Sequence, residues 1–217
     1  MIRALFFDAA GVLYTRPRSA WDEALRLFAE HGLAVEQSAE RESARRRLAN
    51  EASLGRISST TYFSRALDLY DVRAPERDAI LSAVDRFADE IIPTPGARDA
   101  LLALKGKGKV LGVITDTMYP LDRKMRWLHR VGVADLLDVV SCSSALGVRK
   151  PDPAIYRDAR ERTGVAASEA AFVGHAAQEL DGARAAGMTT VAVWPDPDAR
   201  ADHTVESLAA LARLPIL

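Results

Sequence analysis

Arg3-Ala4-Leu5-Phe6-Phe7-Asp8-Ala9-Ala10-Gly11-Val12-Leu13-Tyr14 is the stretch on which the reading of this chain turns. Ala4 to Phe7 are apolar at consecutive positions, and the run stops at an acid with a glycine soon after it. A segment hydrophobic on both faces predicts a buried strand of a parallel sheet, here presenting Asp8 at its C-terminal tip. Open α/β sheets bind ligands along that edge. Taken alone, the segment leaves Asp8 as either a reactive carboxylate or a cap on the following loop.

Beyond it the hydrophobic period becomes helical. Trp21, Leu25 and Phe28 share one face and Gly32 stops the run, while residues 37–54 form a charged, alanine-rich segment around Arg45-Arg46-Arg47. A third helix, capped by Ser58 or Ser59, buries Tyr62 or Phe63 with Ala66, Leu67 and Tyr70; a fourth opens at Pro75 and keeps Ile80, Val84, Phe87 and Ile91 in one stripe. Four helices without an intervening strand predict an insertion over residues 15–92. After Pro93-Thr94-Pro95-Gly96, strands at 109–115, 137–141, 171–174 and 189–194 alternate with helical segments, the last expected over 205–211 with Thr204 as its cap. The fold class expected is α/β, a doubly wound parallel sheet formed by residues 1–14 and 93–217, with an inserted four-helix cap at 15–92.

Composition narrows the partners. Lys and Arg number 29 against 30 Asp and Glu, so no basic excess points to nucleic acid. No apolar run approaches the ~20 residues of a membrane span, and a strand that starts at once leaves no room for a cleavable leader, so a cytoplasmic protein is expected. Cys142 is the single cysteine and reads as a buried structural thiol. The expected partner is a small-molecule substrate; oligomeric state is left open.

Polar residues fall at four strand ends: Asp8, Thr115-Asp116, Lys150-Pro151-Asp152-Pro153, and Gly174-His175 followed by Glu179. In a doubly wound sheet these ends open on one edge. Together with Phe7-Asp8-x-x-Gly11-Val12-Leu13, Ile114-Thr115-Asp116, Gly147-x-x-Lys150-Pro151-Asp152-Pro153 and Phe172-Val173-Gly174 with Gly182-Ala183-x-Ala185-Ala186-Gly187, the chain resembles the haloacid dehalogenase-like hydrolase superfamily over essentially its full length. The resemblance implies a Rossmann-like core with a helical cap and hydrolysis through a covalent aspartyl intermediate. Asp8 would be the nucleophile, Thr115 a hydrogen-bond donor to substrate, and Lys150 the cation that holds Asp8 ionised. Ala10, Gly11 and Asp116 would line the substrate, with Arg16 and Arg18 reaching it from the start of the cap.

Two positions depart from the phosphatase pattern. The aspartate expected two residues after the nucleophile, which protonates the leaving alkoxide, is Ala10. The magnesium-binding aspartate expected after Gly174 is His175. Mg²⁺ prefers oxygen ligands, so its binding is placed in doubt. The donors left for Mg²⁺ or another divalent ion are Asp8, the Ala10 carbonyl, His175 and Glu179, with His175 also readable as a plain loop histidine and Glu179 as an acid favoured by a helix N-terminus. Residues 15–92 contain no lysine, which argues against a Schiff base donated by the cap. The function expected is hydrolysis of a small phosphate monoester or acyl phosphate with atypical metal dependence. The alternatives are a degenerate binding protein and a metal-independent 2-haloacid dehalogenase-type hydrolase.

Overall fold

The fold is that of a computed structural model describing residues 1–33 and 36–217. In chain order its elements are β1 (Ala4–Phe7), β2 (Tyr14–Thr15), α1 (Ala20–Glu30), α2 (Ala39–Ser53), α3 (Ser59–Leu69), α4 (Glu76–Phe87), β3 (Ile92–Pro93), α5 (Ala97–Gly106), β4 (Val110–Thr115), α6 (Leu121–Val131), β5 (Val139–Cys142), α7 (Ser143–Leu146), α8 (Pro153–Thr163), β6 (Ala170–Gly174), α9 (Ala177–Ala185), β7 (Thr189–Val193), β8 (His203–Val205) and α10 (Leu208–Leu211).

Six of the strands form one parallel sheet in the order β5-β4-β1-β6-β7-β8, with β1 paired to β4 on one side and β6 on the other. Counting only these strands along the chain, the order is 3-2-1-4-5-6, that of a doubly wound sheet. All four residues of β1 are fully buried, and they divide between two cores. Leu5 and Phe7 join the cluster built on α5 and α6. Ala4 and Phe6 join Ile155, Tyr156 and Leu180 of α8 and α9. Each buried Leu or Phe contributes about 1.5–3 kcal/mol, so the strand is held from both faces.

The helical insertion leaves the core at β2 and returns at β3, and these two strands pair antiparallel, Tyr14 with Pro93 and Thr15 with Ile92. Ser19 caps α1 and Ser58 caps α3, each through its hydroxyl. Both Tyr62 and Phe63 are buried, and Trp21, Phe28 and Tyr70 pack as an aromatic cluster with ring centroids 5.2–6.2 Å apart. Arg123 of α6 ties the insertion to the core through Asp89 at 3.0 Å and Asp85 at 2.5 Å, and Trp127 Nε1 donates to Asp89 at 2.7 Å.

One expected element is corrected. Residues 203–205 form the edge strand β8 instead of opening a helix, because Val205 pairs with Val193 and buries there; the helix begins only at Leu208. Among the described residues, no helix is long and apolar enough to cross a membrane. Cys142 is buried and unpaired.

Gly112 in β4 shows how closely the sheet packs: a Cβ there would lie 2.6 Å from Val139 Cγ1 and 2.7 Å from Phe6 Cδ1. Gly112→Ala is expected to cost about 1–3 kcal/mol by overpacking. Chemical denaturation followed by circular dichroism measures it, and an unchanged midpoint would contradict this packing.

Candidate active site at the switch point of the sheet

β1 and β6 are neighbours in space, yet the chain reaches them by opposite windings, so the crevice beyond their C-terminal ends is the topological switch point. Asp8 stands there, its amide donating to the Val173 carbonyl at 2.9 Å and its side chain almost wholly buried. The chain then turns sharply: the Leu13 and Tyr14 amides both donate to the Ala9 carbonyl, and Gly11 donates to Tyr14 at 2.8 Å. Gly11 has φ +84°, and a Cβ on it would lie 2.6 Å from His175 Nε2. Only glycine meets both demands without strain.

Lys150 reaches the same point from the connection before α8. Its Nζ lies 2.6 Å from Asp8 Oδ1 and 2.7 Å from Glu179 Oε1, and 5.6 Å from the centre of the Phe172 ring. Its own amide donates to Asp116 Oδ1 at 3.1 Å, so Asp116 anchors the lysine loop. Burial pulls the Lys150 ammonium down, but Asp8, Glu179 and Asp116 outweigh it and hold the group above the usual lysine range. Burial and the Asp8 charge push the Glu179 carboxyl up, against the pull of Lys150; burial likewise raises Asp116. Thr115 is fully buried at the end of β4, its hydroxyl 3.5 Å from the Asp116 carbonyl.

His175 closes the crevice from the end of β6. Its Nε2 is 4.0 Å from Asp8 Oδ2 and its Nδ1 is 3.3 Å from Asp196 Oδ1. An open cleft of about 440 Å³ runs past Ala10, Gly11 and His175 to Arg16 and Arg18. The two arginines are partly committed there. Arg16 donates to the Ala88 carbonyl at 3.1 Å and stacks 4.3 Å from the Trp127 ring centre, while Arg18 is ion-paired with buried Glu23.

The implied ligands for Mg²⁺ do not fit. The Lys150 ammonium already bridges Asp8 and Glu179, the two carboxylates that would have to share an ion, and the third donor is an imidazole nitrogen where Mg²⁺ takes oxygen. Among the described residues, no three His, Cys, Asp or Glu side chains converge as metal ligands. As they stand, Asp8, the Ala10 carbonyl, His175 and Glu179 do not present a ready Mg²⁺ site.

A model of the haloacid dehalogenase-like hydrolases matches residues 2–187. The chain belongs to that family. This hydrolase is 29% identical to a glyceraldehyde 3-phosphate phosphatase of Methanopyrus kandleri, covering 94% of this chain and 91% of that protein. It is 31% identical to a Pyrococcus abyssi protein of the same name, covering 88% and 81%. Among solved structures, a 2-haloacid dehalogenase from Pseudomonas syringae pv. Tomato superposes with a TM-score of 0.71 at 25% identity, covering 98% of this chain and 97% of that one.

Two groups of the hydrolase escaped the sequence reading. Asp196 lies just beyond β7, a fifth strand end on the edge where the other four were sought. Lys124 of α6 is fully buried beside the site, its Nζ donating to Tyr14 Oη at 2.7 Å. Burial pulls Lys124 down to about 7, with Asp8 opposing and Arg16 assisting. An unfolded lysine titrates near 10.4, so below about 7 the folded state bears the full cost of the buried charge, and the cost fades as pH rises from there. Lys124→Met is therefore expected to gain stability over the parent most at acid to neutral pH, the difference shrinking toward pH ~10. Urea unfolding of both proteins across that range checks it; a pH-independent difference contradicts it.

Proposed function

We propose that this hydrolase cleaves small phosphate monoesters or acyl phosphates with Asp8 as the nucleophile. The observation that carries the reading is the buried contact of 2.6 Å between Lys150 Nζ and Asp8 Oδ1 at the end of the central strand. The ammonium takes one carboxylate oxygen, leaving Oδ2 on the side of His175. Oδ2 attacks phosphorus as the bond to the leaving oxygen breaks. Water then attacks phosphorus, the bond to Asp8 breaks, and inorganic phosphate leaves. Lys150 offsets charge on the transferred group, and Thr115 offers a hydroxyl to a non-bridging oxygen. Ala10 and Gly11 line the cleft, Asp116 lines the neighbouring one beside Lys150, and of the two cleft arginines Arg16 is the one without a carboxylate partner among the described residues.

The names of the two relatives support a small phosphorylated substrate. The helices between β2 and β3 support assigning residues 15–92 to the cap and 1–14 with 93–217 to the core. Cleavage of a carbon–halogen bond is the second reading, favoured by Ala10, since halide leaves without a proton, and by the likeness to a 2-haloacid dehalogenase.

The test is phosphate release from aryl phosphates. Asp8→Asn is expected to lower kcat/KM by at least ~10³-fold, and Lys150→Met by ~10²-fold or more, with the fold retained by circular dichroism. Equal rates for Asp8→Asn and the parent would overturn the proposal. Halide release from 2-chloropropionate by a parent inert to phosphate esters would transfer it to the second reading.

A further inference from the structure

Ala10 cannot carry a proton, and the cleft beside it is lined by an imidazole, that of His175. His175 sits 4.0 Å from the Asp8 oxygen left free by Lys150, a gap that one small oxygen atom fills by hydrogen-bonding both. Its position is fixed from three directions. Asp196 Oδ1 faces Nδ1 at 3.3 Å. The Asp196 amide donates to the His175 carbonyl at 3.1 Å, so the two residues hold each other through side chain and backbone. Gly11 withholds the Cβ that would collide with Nε2. A carboxylate behind one ring nitrogen leaves the other aimed at the reacting atoms, the arrangement by which a histidine is oriented for proton transfer.

Resting on the aspartyl-phosphate reading above, we propose that His175 is the general acid and base of this hydrolase, with Asp196 as its positioning residue. In the first half-reaction the Asp8 oxygen bonds to phosphorus, the bond from phosphorus to the ester oxygen breaks, and the proton on Nε2 passes to that oxygen, so the alcohol leaves neutral. In the second, Nε2 takes a proton from water, the water oxygen bonds to phosphorus, and the bond to Asp8 breaks. Inorganic phosphate leaves, and the ring is again protonated. Arg16 and Arg18 line the same cleft, Lys150 is paired with Asp8 and Glu179, and among the described residues the carboxylates facing the ring are Asp8 at Nε2 and Asp196 at Nδ1.

The role predicts a dependence on the leaving group that packing alone does not. His175→Ala should lower kcat/KM for an alkyl phosphate such as glycerol 3-phosphate by about 10²- to 10⁴-fold, and for 4-nitrophenyl phosphate far less, because nitrophenolate leaves without a proton. Added imidazole should restore part of the alkyl activity. With the nitrophenyl ester, loss of the base should let phosphorylated Asp8 accumulate, seen as a mass increase of one phosphoryl group after acid quench. Asp196→Asn should shift the same leaving-group ratio in the same direction by a smaller factor, and Gly11→Ala should mimic His175→Ala by displacing the ring. Equal losses on both esters, no rescue by imidazole and no trapped intermediate would overturn the proposal. An Asp8→Asn protein as active as the parent would instead remove the reading on which it rests.

Discussion

The buried contact between Lys150 and Asp8 is the constraint around which the rest of the molecule is arranged. Taking two ions from water costs several kcal/mol each, and their attraction offsets this only with good geometry and further hydrogen bonds. The supporting contacts are all present. Asp8 is fixed by its amide bond to Val173, Lys150 by its amide bond to Asp116, and the remaining ammonium valences are met by Glu179 and the face of Phe172. Deleting either partner would strand a charge, so strand, loop and helix terminus are mutually dependent.

Helix α6 couples this site to the cap. Arg123 and Lys124 are adjacent in sequence and both buried, but their environments differ. Arg123 is matched by Asp85 and Asp89 from the cap side, whereas Lys124 points at the phenol of Tyr14 and the indole of Trp127. The guanidinium therefore stays charged and ties the insertion down, while the ammonium sits near its titration point at neutral pH. Since Tyr14 belongs to β2, where the insertion begins, a side chain of the helix that anchors the cap also touches the strand leading into it.

Much of the fold was legible because β1 is apolar at every position and polar residues stand at the ends of β4 and β6, Thr115-Asp116 and Gly174-His175. The strand order was not, since periodicity says nothing of neighbours across a sheet. β8 was missed because three residues are too few to establish a period. Asp196 was hidden in Trp194-Pro195-Asp196-Pro197, which reads as a turn. Lys124 was hidden in the charged run Asp122-Arg123-Lys124, which reads as a solvated face. Its spacing to Trp127, Leu128 and Val131, at three, four and seven residues, does place it on the buried stripe. The single-letter pattern held that signal; the charge masked it. The poor fit of Mg²⁺ was out of reach for a different reason. Spacing alone cannot reveal that an ammonium stands between two carboxylates.

Ala10 and His175 look like separate losses in the sequence, but the fold brings them to the same cleft, with Gly11 between them. Electrostatics links them further. Asp8, Asp116 and Glu179 already crowd one ammonium, and burial raises the last two carboxyls. Two more aspartates, as in the phosphatase pattern, would add repulsion of about 4 kcal/mol for each like pair at 4 Å and an effective dielectric near 20. A divalent cation relieves that repulsion where both are present. With alanine at one position and an imidazole at the other, the extra negative charge is gone, and the requirement for a divalent counter-charge falls with it. What such a change sacrifices at position 10 is a proton donor, and the side chain that replaces the carboxylate at position 175 is one that can carry a proton.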